Sequence, residues 1–122
     1  MFHISRLLKS FQHAFKGLIL IFQEEQNFRI HSVCAVIVFI VSGILRVDMF
    51  DFVIIFIAVS ILLILEIINT VFEKLLDMLK PRVHHYVGFI KDVMAAAVLI
   101  GAFVAFITTV IILYPYFIKN TY

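Results

Sequence analysis

Four polar residues interrupt the most apolar part of this chain at helical spacing. They are Glu66, Asn69, Glu73 and Asp77, within Glu66-Ile-Ile-Asn-Thr-Val-Phe-Glu-Lys-Leu-Leu-Asp77. They follow directly on the run Phe52 to Leu65, which reads as a membrane helix. Positions i, i+3, i+7 and i+11 lie within a narrow arc of one helix face at about 100° per residue. Carboxylates at the edge of a bilayer are costly, so a file of them leaving it on one face points to function, most simply a metal or phosphate-transfer site. Glu24 and Glu25 precede the first apolar segment, and Lys91-Asp92 opens the last. Carboxylates, an amide and a lysine at one depth can hold magnesium and the phosphates of a nucleotide. Mg²⁺ takes oxygen ligands, commonly a carboxylate or two together with substrate phosphates. The chain has no GxxxxGK[ST] loop, so side chains would have to hold the nucleotide, with Lys91 as the natural phosphate partner.

Each residue also has a plain structural reading. Glu66 is the deepest carboxylate and suits a general base, but it could equally be a packing group bonded to a neighbouring helix; the residues alone do not choose. Asn69 taken alone reads as interhelical glue. Glu73 and Asp77 could be solvated charges beside Lys74 and Lys80. Lys91 and Asp92 could be ordinary helix-start residues, although only the Asp complements the helix dipole there. His84 and His85 lack metal-ligand spacing with any third group.

The elements that must position these groups follow from hydropathy. Hydrophobic residues make up 64% of the 122 and mean hydropathy is +1.14, against roughly 45–50% apolar in soluble domains. A single all-α membrane domain over residues 1–122 is predicted. Residues 4 to 22 alternate Ile4, Leu7, Leu8, Phe11, Phe15, Leu18 and Phe22 on one face with Arg6, Lys9, Gln12, His13 and Lys16 on the other, as in a helix lying in the membrane interface. Three transmembrane spans are predicted at about residues 30–45, 52–68 and 93–114. The second is expected to project beyond the hydrocarbon and to end at Lys80-Pro81-Arg82. His84 to Ile90 reads as a connector with Gly88 free to take unusual dihedrals, and Pro115 as the end of the third span. Ser42, Gly43, Ala95 to Ala97, Gly101 and Ala102 suit close helix approach, and Tyr114 and Tyr116 suit interface anchoring. Three spans are too few to enclose a nucleotide site, so one formed between subunits is expected.

Charge sets the orientation. Arg6, Lys9, Lys16 and Arg29 precede the first span, and Lys74, Lys80, Arg82 and Lys91 surround the second loop. The first loop has only Arg46, and the tail only Lys119. The positive-inside rule then predicts a cytoplasmic N-terminus and an outside C-terminus. The net charge of +2 is too small to suggest nucleic acid binding. Cys34 is the only cysteine, which excludes an intrachain disulfide, and it reads as a small buried hydrophobe. The first apolar segment starts too late to read as a cleaved signal peptide.

Glu66-x-x-Asn69-Thr70-x-x-Glu73-x-x-x-Asp77, followed by Lys91-Asp92 and the small residues before Val98-Leu99, resembles the prokaryotic diacylglycerol kinase family, which includes undecaprenol kinases. The similarity runs from about Arg6 to Tyr114 and takes in Ala14-Phe15-Lys16-Gly17 and Pro81-x-x-His84. The resemblance implies a homotrimeric lipid kinase of the bacterial plasma membrane that uses Mg-ATP, with active sites between subunits at the cytoplasmic interface. By the same resemblance Glu66 matches the catalytic base, and Glu25 and Glu73 the metal-binding glutamates. Asn69, Asp77, Lys91 and Asp92 match the polar active-site set, while Arg6, Lys16 and Gly88 match further positions tied to the nucleotide or to site structure. Asn27-x-Arg29-x-His31 is similar to the undecaprenol branch, with diacylglycerol as the alternative substrate. Met94, Ala96, Val71, Phe72 and Arg82 depart from the family pattern and bear on packing and substrate fit. A non-enzymatic alternative is an oligomeric pore or ion pathway. A pore needs polar groups along a span's full depth, whereas Val53 to Leu65 offers only Ser60.

Overall fold

The computed structural model describes residues 2–79 and 84–121. It holds four helices: α1 (Ile4–Glu24), α2 (Gln26–Ile44), α3 (Met49–Leu79) and α4 (His84–Thr121). Three of them, α2, α3 and the stretch His85–Thr121 of α4, are long and apolar enough to cross a bilayer. At about 1.5 Å per residue, the 19 residues of α2 span roughly 28 Å, close to the hydrocarbon thickness. The 31 residues of α3 reach roughly 46 Å, so its last turns extend past the hydrocarbon as expected and carry the polar file with them.

α1 has no buried residue. Its apolar face, including Leu7, Phe11, Phe15 and Leu18, is exposed, as an interfacial helix requires. The chain bends at Glu25, which is extended at φ −107° and ψ 111°. Arg29, one turn into α2, reaches back and donates to the carbonyls of Phe22 (3.0 Å) and Gln23 (2.6 Å). These carbonyls belong to the last turn of α1, where helix geometry leaves acceptors open and favours a cation. One side chain therefore fixes the bend and the start of the first span.

At its other end α2 closes in a Schellman motif. Val47 N–H donates to the Ser42 carbonyl and Arg46 N–H to that of Gly43. Arg46 takes the left-handed position at φ 54° that glycine usually fills. α3 is the central element, with both α4 and α2 packed against it. Their shared core is Ala35 of α2, Ile55 and Val59 of α3 and Leu113 of α4. Phe39, Phe52 and Phe56 add a ring cluster between α2 and α3, with centroids 5.6 to 6.4 Å apart. α3 and α4 approach closely at Gly101, where an added Cβ would lie 2.7 Å from Leu65 Cδ1, the end of a flexible side chain. Ser42 is buried and bonds the Val38 carbonyl, whereas Gly43 faces open space.

Several expectations need correction. α4 begins at His84, so residues 84–90 are helix and not a connector. Gly88 sits inside that helix without a positive φ and with nothing near its Cα. Pro115 does not end α4, which runs on to Thr121. Proline removes one backbone donor, and a helix near its membrane exit can leave the freed carbonyl to neighbouring polar groups. Cys34 is exposed along a cleft, not buried. The expected helix stop at Lys80-Pro81-Arg82 lies outside the described residues.

Candidate functional site

α3 presents its polar file in a gradient of burial. Glu66 is 3% exposed, Asn69 and Glu73 are half-buried, and Asp77 is exposed. The gradient follows from α3 leaving its neighbours as it climbs out of the bundle. Antiparallel packing of α2 and α3 brings the start of one beside the end of the other. His31 thereby meets Glu66, with Nδ1 2.9 Å from Oε1 and the histidine side chain 25% exposed. The approach is close but off the hydrogen-bond axis, so neither atom counts as satisfied by bond geometry. The Thr70 hydroxyl donates to the Glu66 carbonyl and ties down the same turn.

One turn on, Asn69 Nδ2 donates to Glu73 Oε1 at 3.4 Å, while Asn69 Oδ1 is buried without a partner. An orphaned amide oxygen beside a carboxylate is a pair of hard oxygen donors. Further out, Lys91 at the start of α4 pairs with Asp77 at 3.0 Å, so the two residues expected near phosphate are held together across α3 and α4. Lys74, on the flank of the file, pairs with Glu24 of α1 at 3.3 Å.

Not every expected residue joins this group. Among the described residues no side-chain bond links Glu25, Asp92, Arg6 or Lys16 to the file. Arg6 and Lys16 lie on the exposed face of α1, and Gly88 faces open space. No three His, Cys, Asp or Glu side chains converge on a metal position among the described residues.

Below the His31–Glu66 pair an apolar cleft of about 290 Å³ runs into the membrane-spanning part of the bundle. His31, Cys34, Ala35 and Val38 of α2 form one wall, Ala102, Ala105, Phe106 and Thr109 of α4 the other, and Val59 and Leu62 of α3 the floor. Glu66 does not line the cleft; it lies one turn beyond Leu62, beside His31. The sequence singles out His31 only through the Asn27-x-Arg29-x-His31 resemblance, although the first residues of one span and the last of the next share a depth. At the opposite end, Tyr116 donates to Asp51 Oδ2 at 2.7 Å and accepts from the Asp48 N–H at 3.1 Å, clasping α4 to the start of α3.

The geometry is that of a polar site at one membrane surface above an apolar cleft, and comparison with known proteins agrees with it. The family model of prokaryotic diacylglycerol kinase matches residues 12–113. The chain is 30% identical over 112 residues to the undecaprenol kinase of Bacillus subtilis (strain 168), covering 92% of this chain and 91% of that one. It is 32% identical over 113 residues to the diacylglycerol kinase of Escherichia coli (strain K12), covering 93% of each. A diacylglycerol kinase of Synechocystis is 32% identical over 110 residues, which make up 89% of this chain and 63% of that one. These relatives are kinases and do not favour the pore reading. Matched from its surface helix to its third span, this chain belongs to the prokaryotic diacylglycerol kinase family and is a membrane lipid kinase.

Proposed function

We propose that this protein transfers the γ-phosphoryl group of ATP to the hydroxyl of undecaprenol at the cytoplasmic face of the bacterial plasma membrane. The observation that carries this reading is the nearly buried Glu66 carboxylate, 2.9 Å from His31, which lines the apolar cleft. A lipid lying in the cleft would bring a terminal hydroxyl to Glu66. Glu66 accepts the hydroxyl proton as the oxygen bonds to the γ-phosphorus, and the bond from that phosphorus to the β-phosphate oxygen breaks to release ADP. Catalysis of this kind rests mainly on positioning and charge neutralisation. Lys91 serves the phosphates, with Asp77 holding its ammonium in place. Asn69 and Asp92 complete the polar surround.

The oxygen donors at Asn69 and Glu73 suit Mg²⁺, and Glu73 with Glu25 would hold it. Bound there, the ion would offset the negative charge of the phosphates. Among the described residues one chain holds no converged donor set, and we propose that copies complete it in a homotrimer.

Two features favour undecaprenol over diacylglycerol. Asn27-x-Arg29-x-His31 matches the undecaprenol branch, and the cleft walls carry few polar groups beyond His31, Cys34 and Thr109. Diacylglycerol brings two ester groups close to its hydroxyl, and these need partners when buried; a polyprenyl alcohol brings none. The test is competition between the two lipids at equal mole fraction in one reconstituted membrane. Preferential phosphorylation of undecaprenol is expected, and preference for diacylglycerol reverses the substrate assignment.

A further inference from the structure

His31 has no role in the reaction as written above, yet it is the group closest to the base. Its Nδ1 lies 2.9 Å from Glu66 Oε1. Both atoms are buried, and neither has a hydrogen-bond partner elsewhere. From α4, Gly101 packs against Leu65 and Leu62 just below Glu66, and Lys91 is paired with Asp77, about three turns further along α3. Asn69, the next polar residue along α3, is turned toward Glu73.

We infer that His31 is a positioning residue for Glu66: it anchors Oε1 and thereby presents Oε2 to a hydroxyl arriving along the cleft. The inference rests on the reading of Glu66 as the base. The terminal torsion of a glutamate is broad, so an unanchored Glu66 would spread over many orientations. Occupying one oxygen removes that freedom and leaves the other for substrate. The backbone supports the assignment. Arg29 locks the α1–α2 bend two residues before His31, which fixes where on α2 the imidazole emerges. His31 also lines the cleft itself, so the anchor and the substrate path share one side chain.

The test compares wild type with His31→Leu, His31→Asn and His31→Gln in lipid nanodiscs, measuring kcat and KM for ATP and for undecaprenol, with assembly checked by size. An asparagine amide can reach the position of Nδ1, whereas a glutamine amide extends past it. His31→Leu should lower kcat by about 10- to 100-fold, the cost of a misplaced reacting group, with KM for ATP changed by less than about twofold. His31→Asn should recover kcat to within about threefold of wild type, and His31→Gln should stay low. A purely structural role would not separate the two amides. Wild-type kcat in His31→Leu, or a His31→Gln as active as His31→Asn, overturns the inference while leaving the kinase reading intact. If His31→Leu does not assemble, the comparison of the two amides decides. Absence of phosphoryl transfer in the wild type removes the kinase reading and this inference with it.

Discussion

Replacing Glu66 by glutamine isolates the chemical step from binding and folding. The two side chains are nearly the same shape, and the substitution leaves no buried charge without a counterpart, so fold and assembly should survive. His31 Nδ1 keeps an oxygen to face at the position of Oε1. What disappears is the proton acceptor. A positioned general base contributes about 10²- to 10⁴-fold. Two considerations place this site within that range. Glu66 is 3% exposed, so bulk water has little access to replace it. Phosphoryl transfer, however, proceeds through a loose transition state in which the attacking oxygen is only weakly bonded, which lowers the premium on its deprotonation. We expect a loss of about 10³-fold in kcat, or about 4 kcal/mol at 1.36 kcal/mol per decade. KM for ATP should stay close to wild type, because Glu73, Lys91 and Asp77 are untouched. The assay is steady-state transfer from labelled ATP to undecaprenol in nanodiscs, with oligomer size and thermal midpoint measured on the same sample. Turnover within about threefold of wild type would refute the base assignment and leave Glu66 as a packing group between α2 and α3.

Glu73→Gln should raise the magnesium concentration needed for half-maximal rate by about tenfold as well as lowering the rate, whereas Glu66→Gln should not move that concentration; titration of rate against magnesium separates them. Asn120→Cys in a Cys34→Ala background should react with an impermeant thiol reagent in intact cells, and labelling only after lysis would reverse the proposed orientation. Gly101→Ala should be close to neutral, because Leu65 Cδ1 is the end of a flexible side chain and alanine gains helix propensity. Gly101→Val should lower stability by about 1–3 kcal/mol by forcing α3 and α4 apart, measured as loss of assembled protein on titration with a denaturing detergent.

Hydropathy made the architecture legible because each element has to satisfy a bilayer on its own. The helix expected at 4–22 is α1 to within two residues, and α2, α3 and α4 are three helices long and apolar enough to cross a bilayer. Element ends were less legible where local signals compete. Residues 84–90 contain Gly88 but no proline, and they extend α4 at its N-terminal end. Pro115 looks like a stop signal, yet the helix continues through it, since a membrane helix loses little by one missing donor near its exit. The bend at Glu25 is held by Arg29 reaching over six and seven residues, a contact that no periodic pattern encodes. Within the site, the gradient from Glu66 to Asp77 followed from spacing and depth. The Asp77–Lys91 pair required knowing that α4 folds back beside α3. The Tyr116–Asp51 clasp joins residues 65 apart, and Tyr116 on its own signals only an interface anchor.

The most direct test of the account is phosphoryl transfer itself. Purified wild-type protein reconstituted with undecaprenol and given γ-labelled ATP should place label in the lipid fraction when magnesium is present and lose that activity when it is chelated. Absence of label from both undecaprenol and diacylglycerol, with the protein assembled and magnesium in excess, would contradict the assignment of a phosphotransferase site to the Glu66 face of α3.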